Sequence, residues 1–276
     1  MNHNKDGSFA TQRARSAILL QCAAQIRDGG YKIERPQQLK QKHIDHLVER
    51  WRNENLSSAT IKNRMSHLRW VAEKIQKPTI IRSNDDLAIE QRQFATQIDK
   101  SMQLDARLDK ISSERIKDAL RLQDAFGLRR EEALKFKPEL ACKNANEIQL
   151  QSSWCKGGRA RTVPVRTDEQ RTLLAEISKK YPTGSLIPKE ASYKEFVKKY
   201  ENATAAAGIG RAHGLRHGYA QKRYLELTGN ECSVRGGLQR NAMSNEQKEI
   251  DLAARLTISA ELGHGRVDVV AKYIGN

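Results

Sequence analysis

Five short stretches of this sequence carry side chains suited to handling charge and protons around a phosphate. The first is Gly127-Leu128-Arg129-Arg130-Glu131-Glu132. Arg129 and Glu132 are three residues apart, so on a helix they face each other across one turn. A carboxylate that pins a guanidinium pre-orients a phosphate clamp; the same spacing also makes an ordinary helix-cap ion pair. The second is Lys156-Gly157-Gly158-Arg159, a basic turn between two strand-like runs. Its Lys156 and Arg159 suit phosphate contact in a groove, or simple solubilisation. The third is Ala212-His213-Gly214-Leu215-Arg216-His217. His213 and Arg216 point the same way at a helix start; one can shuttle a proton near neutrality and the other can grip a phosphoryl oxygen. The fourth and fifth are Leu262-Gly263-His264 and, nine residues on, Tyr273. Each stretch taken singly also fits a purely structural part.

The elements that must position these groups are read from apolar spacing. Ile18, Leu19, Cys22, Ala23 and Ile26 share one side of a helix over 11–28, stopped by Gly29-Gly30. A second helix over 42–53 turns Ile44, Leu47, Val48 and Trp51 inward. A third follows the serine cap in Leu56-Ser57-Ser58-Ala59-Thr60, with Ile61, Met65, Leu68, Ala72 and Ile75 as its stripe. Its other faces carry Thr60, Lys62, Asn63, Arg64, His67 and Arg69, which a major groove can accept; a plain solvated face is the other reading. Further on, a helix after Ile111-Ser112-Ser113-Glu114 runs to Phe126-Gly127. Glu147–Gln151 and Arg161–Val165 alternate as a hairpin, and a helix spans 193–207. The expected organisation is a helical domain over 1–80, a linker over 81–106 and a second domain over 107–276. The fold class is mostly α with a small antiparallel β-sheet, an α+β arrangement.

Composition narrows the partner. Lys and Arg number 49 against 33 Asp and Glu, a net charge of +16. Residues 1–77 alone hold 15 basic and 7 acidic side chains, a net of +8. Such a balance points to a polyanion, most simply nucleic acid. Aromatics are only 5%, so a duplex held by its phosphates fits better than stacked single strands. Cys22, Cys142, Cys155 and Cys232 are too scattered for a zinc site and read as reduced thiols. No apolar run suits a membrane span or a signal core, so a cytoplasmic, nucleoid-associated protein is expected.

The order of the motifs carries more than any one of them. Gly-Leu-Arg-x-x-Glu, then Lys-Gly-x-x-x-Arg-x-Val-Pro, then His-x-Leu-Arg-His, then Leu-Gly-His, then a tyrosine nine residues later resembles the catalytic domain of the tyrosine recombinases, the phage-integrase family. The Leu-Ser-Ser-Ala-Thr-Ile helix resembles their amino-terminal core-binding domain. The resemblance implies that Arg129 and Arg216 grip a scissile phosphate and that Lys156 protonates the departing 5′ oxygen. It implies that His213 is general base or proton shuttle, that His264 hydrogen-bonds a phosphate oxygen, and that Tyr273 attacks phosphorus to form a 3′-phosphotyrosyl link. Glu132 supports Arg129, and Arg159 and Arg161 join the third-helix residues as expected DNA contacts. The chemistry is self-consistent: a tyrosine hydroxyl titrating near ~10 is a poor nucleophile at neutral pH, and needs a base and a cationic pocket. Two arginines, a lysine and two histidines supply both, so neither a metal nor a nucleotide cofactor is expected.

Two departures from the family pattern stand out. Arg216 and His264 are 48 residues apart (264 minus 216), and the segment over about 228–248 reads as a loop insertion that contacts DNA through Arg235 and Arg240, touches a neighbouring subunit, or does neither. Only three residues follow Tyr273, so its segment is expected to fray until DNA or another subunit orders it. The leading reading is a site-specific recombinase or integrase of a mobile element, acting on double-stranded DNA as a dimer on each site and a tetramer in synapsis. Accessory DNA-bending or directionality proteins are further expected partners. A chromosome-dimer-resolving recombinase, a type IB topoisomerase and a non-catalytic DNA-binding regulator are the alternatives.

Overall fold

A computed structural model describes residues 4–91 and 97–276. The chain is mostly helical with one two-stranded antiparallel sheet, as expected. Two compact units divide it, one on each side of residues 92–96. Residues 1–3 of the expected first domain and 92–96 of the expected linker lie outside the described residues. Among the described residues no helix is long and apolar enough to cross a membrane.

The first unit is built on α1 (Phe9–Asp28), α2 (Gln41–Asn53) and α3 (Ser58–Lys74). Ser57 caps α3 by accepting from the Thr60 amide, the cap that the sequence announces. Trp51, Ile44, Leu47 and Met65 are fully buried between the helices. The Trp51 indole keeps its polar edge satisfied by donating to Gln25 Oε1 at 2.8 Å. Ile81, Leu87 and Ile89 belong to this same core. The expectation of a linker from residue 81 is therefore corrected: three apolar side chains need burial, and the first unit supplies it.

The second unit starts its helical body with α4 (Glu114–Phe126), then α5 (Arg130–Leu134) and α6 (Pro138–Ala141). Strands β1 (Glu147–Leu150) and β2 (Arg161–Pro164) pair with Ile148 opposite Val163, both fully buried. Helices α7 (Asp168–Lys180) and α8 (Tyr193–Ala206) follow, then α9 (His213–Thr228), α10 (Asn245–Glu261) and α11 (Ala271–Ile274). Helix α9 is enclosed almost all round, from Gly214 to Gln221 and again at Tyr224. It packs on α4, α10 and α11 and is the axis on which the second unit is assembled. The expected insertion over 228–248 is a loop only to Ser244. Ser244 then accepts from the Gln247 amide, and Gln247 bonds back to the Ser244 amide, a capping box that starts α10.

Candidate active site

Two glycine turns build the floor of the site. Gly127 ends α4 at φ +60°, and a Cβ there would lie 2.6 Å from the Tyr219 ring. Gly263 follows α10 at φ +62°, and a Cβ there would lie 2.8 Å from Arg161 Cδ. Both turns need a left-handed residue that also tolerates a close neighbour, which only glycine meets. Their effect is to aim two backbone carbonyls inward. Arg216, on α9 and 1% exposed, donates Nη1 to Gly127 O and Nη2 to Leu262 O. Its Nε reaches Tyr273 Oη at 3.4 Å, and Nη2 also lies 3.4 Å from His264 Nε2. Burial pulls the Arg216 pKa down to about 10, so the group remains a cation at neutral pH.

Arg129 stands across the same floor. It caps α5, and Glu132 accepts from both its backbone amide at 2.7 Å and its Nη1 at 2.8 Å. Nη2 turns to Gly263 O at 3.4 Å, while about a fifth of the side chain stays open to solvent (22%). Glu132 is fully buried, which by itself raises its pKa. The Arg161 fork, bonded to both carboxylate oxygens at 2.8 Å, and the Arg129 amide outweigh burial and bring it to about 2. A fixed negative charge thus braces two arginines at once.

Three histidine rings surround the Tyr273 ring. His217 is nearest, with centroids 4.7 Å apart, then His264 at 5.5 Å and His213 at 6.0 Å. Burial, and then the charges of Arg216, Arg129, Arg161 and Lys272, hold the His264 pKa at about 3. Burial and the neighbouring His213 hold His217 at about 4. Loss of water around the ring, with the charges of Arg216 and Arg129, keeps His213 below the ordinary histidine range. All three are neutral at pH 7 and can accept a proton. Arg216 can only donate, so His264 accepts at Nε2 and carries its own proton on Nδ1.

Tyr273 itself is 5% exposed. The expectation of a segment that frays without DNA is corrected: the ring is already packed on three histidines and bonded to Arg216. Ile274 behind it is fully buried and anchors the short helix. Arg129, Arg216, His213, His264 and Tyr273 are thus brought together. Lys156 is not. It sits exposed in a short 3₁₀ turn at the hairpin tip, and among the described residues none forms a hydrogen bond or ion pair with it. Arg159 is exposed beside it, near Gly265.

Arg161 is a correction of another kind. Its guanidinium turns inward to Glu132, to Cys155 Sγ at 3.5 Å and, through Nε, to Glu261 O at 2.8 Å. An outward DNA contact would strip a buried carboxylate of its main partner. His217 is the site residue that sequence reasoning missed. Its signal was present, since it lies one helical turn after His213 and must share that face.

In the first unit, the candidate DNA-reading residues of α3 divide in two. Thr60 Oγ1 bonds Ser57 at 2.9 Å, Arg69 holds Arg82 O and Asn84 Oδ1, and Arg64 lies over Trp51 with its Cζ 5.2 Å from the ring. Burial and the charge of Arg15 hold the His67 pKa below the ordinary range. These four have structural neighbours. Among the described residues no hydrogen bond or ion pair holds the side chain of Lys62 or Asn63, and Asn63 is exposed.

Known proteins place this architecture. The model of the phage integrase amino-terminal domain matches residues 1–80, and the integrase model matches residues 87–222. The chain belongs to the phage-integrase family, the tyrosine recombinases. Among solved structures, the Tn1549 transposon integrase in complex with circular intermediate DNA superposes with a TM-score of 0.58 at 12% identity, over 100% of this chain and 92% of that one. A lambda integrase dimer bound to a COC′ core site gives a TM-score of 0.58 at 13% identity, over 98% and 90%. At such identities the likeness is one of fold. No curated protein matches the chain. The integrase match ends before His264 and Tyr273, so their place in the candidate site rests on geometry.

Proposed function

We propose that this tyrosine recombinase cleaves and rejoins duplex DNA through a 3′-phosphotyrosyl intermediate on Tyr273. The observation that carries the reading is the shared guanidinium: Arg216 reaches both Tyr273 Oη and His264 Nε2 at 3.4 Å. A phosphate seated on Arg216 and Arg129 is then within reach of the nucleophile. In the attack, Tyr273 Oη forms a bond to phosphorus and its proton passes to His213. The bond to the 5′ oxygen breaks, and Lys156 delivers a proton to that oxygen once the DNA brings the hairpin tip to it. His264 donates from Nδ1 to a phosphate oxygen, and Glu132 fixes the orientation of Arg129. Rejoining is the same sequence reversed by another strand's 5′ hydroxyl. The bond is conserved in the phosphotyrosine, so the exchange needs no nucleotide as an energy source.

The first unit supplies duplex binding, with Lys62 and Asn63, whose side chains no described residue holds by a hydrogen bond or ion pair, as the contacts from α3. The partners would be double-stranded DNA and further copies of the chain, on the pattern of the lambda integrase dimer on its core site. The biological task would be integration or excision of a mobile element, as in the transposon integrase of the same fold. The test is trapping on nicked duplexes of randomised sequence, whose short 5′ fragment diffuses away after cleavage. A denaturation-resistant adduct is expected with EDTA and without ATP, and none with Tyr273→Phe. An adduct that persists in the variant, or that needs a divalent metal, overturns the reading.

A further inference from the structure

The Tyr273 segment is held by its backbone as well as by its ring. Three consecutive carbonyls each accept a side-chain donor from a different element. Tyr273 O accepts from Gln221 Nε2 of α9 at 3.1 Å. Ile274 O accepts from Ser233 Oγ of the loop after α9 at 3.2 Å. Gly275 O accepts from Arg255 Nη1 of α10 at 2.9 Å. A four-residue helix leaves its last carbonyls without partners of its own, and these three donors take their place.

The donors are themselves fixed. Arg255 Nε bonds both oxygens of Asp251 at 2.8 Å, and Tyr224 Oη donates to the same carboxylate at 2.9 Å. Gln221 Nε2 gives its second proton to Asp99 Oδ1 at 2.7 Å. The backbone just after Asp99 lies directly on α9. Met102 N donates to Gly214 O at 3.0 Å, and Cβ atoms at Gly214 and Gly218 would come within 2.8 and 2.9 Å of the Lys100 and Met102 carbonyl oxygens. Gly275 has φ +81°, and a Cβ there would sit 2.2 Å from Ser233 Oγ. The loop expected as an insertion therefore touches the nucleophile segment closely enough to forbid a side chain.

We propose that Gln221, Ser233 and Arg255 are positioning residues: a three-point clamp that sets the Tyr273 ring among His213, His217, His264 and Arg216 before DNA arrives. The inference rests on Tyr273 being the nucleophile, yet the clamp can be read without any reaction. A nucleophile displaced by about 1 Å can lose on the order of 100-fold in rate, so backbone placement acts on cleavage and leaves DNA affinity alone.

The experiment uses the full chain labelled with 3-fluorotyrosine, and the Tyr273 signal is assigned by its loss in Tyr273→Phe. In ¹⁹F spectra, Ser233→Ala and Gln221→Met should move or broaden that signal toward free fluorotyrosine, Gly275→Ala should do so further, and Arg255→Lys should move it too, since one ammonium cannot hold both Asp251 and Gly275 O. Ser233 is only half-buried, so its alanine variant keeps the fold. Adduct formation in a single turnover should fall about fivefold in Ser233→Ala, the factor expected for one lost hydrogen bond, and further in Gln221→Met, with the DNA dissociation constant unchanged. An unmoved fluorine signal together with wild-type cleavage rates in both variants overturns the clamp. Failure of the wild-type protein to form any adduct instead overturns the nucleophile role of Tyr273, and the fluorine signal then decides the clamp alone.

Discussion

The pocket around Tyr273 and the hairpin tip around Lys156 belong to the same proposed reaction, and they are built in opposite ways. In the pocket the key guanidinium is 1% exposed and bonded to two carbonyls, a tyrosine and a histidine. At the tip, Gly157 and Gly158 hold φ values of +73° and +68° with open space around them, and Lys156 projects with no partner among the described residues. The pocket's close packing suits the proposed roles, because a nucleophile and its phosphate grip must agree to within a fraction of an ångström. The open tip fits the proposed proton donor, which the substrate would complete. In the proposed reaction, chemistry at the attacking oxygen would thus be preorganised, and chemistry at the leaving oxygen would wait for DNA.

The largest effect that can break this contrast is at the tip. Lys156→Ala is expected to slow cleavage by about 10²- to 10⁴-fold, the range of a lost general acid, without lowering the melting temperature. A duplex with sulfur in place of the scissile 5′ oxygen should restore the rate, since a thiolate leaves without protonation. No rescue would move Lys156 out of the leaving-group role.

Glu132→Gln tests the pocket's brace. It leaves the Arg161 guanidinium, only 7% exposed, without its counter-charge, which should cost about 3–5 kcal/mol in denaturant unfolding of the second unit. Cleavage should fall as well, because Arg129 loses its orienting partner. Unchanged stability would mean that the pocket is less committed than its geometry indicates.

A smaller effect concerns pH. His264 and His217 have folded pKa values of about 3 and 4, against an ordinary value of 6.5. Between these limits the unfolded chain binds more protons, so stability is full above pH 6.5 and falls as pH drops toward 3. Melting temperatures from pH 7.5 to 4 should show this decline, and His217→Asn should flatten it. Lys156→Ala should leave the curve unchanged. A flat wild-type curve would contradict the neutral, desolvated histidines.

The smallest effect lies in the first unit. Lys62→Ala should weaken duplex binding severalfold and reduce the slope of log affinity against log salt by about one. Titration of binding against salt checks this, and an unchanged slope would remove Lys62 from the phosphate contacts.

Much of this was legible in the sequence where one physical rule dominates. The α3 stripe of Ile61, Met65 and Leu68 and the Ser57 cap gave that helix its face and its start. The Arg129–Glu132 spacing gave their pairing. What escaped needed a second element. Arg161 looks like one more cation of a basic hairpin until Glu132 is placed under it. Ile81, Leu87 and Ile89 read as a linker until a core is found for them. The start of α10 was visible in Ser244 and Gln247 but was hidden inside a polar stretch. The ordering of Tyr273 depends on Gln221, Ser233 and Arg255, which lie 52, 40 and 18 residues before it (273 minus 221, 233 and 255) and leave no local signal.

Mapping the covalent link tests the proposed role of Tyr273 most directly. Adduct trapped on nicked duplex is digested with trypsin and nuclease and analysed by mass spectrometry. A nucleotide mass is expected on the peptide that begins at Tyr273, immediately after Lys272. A nucleotide mass on any other tyrosine, or on a serine, would contradict it.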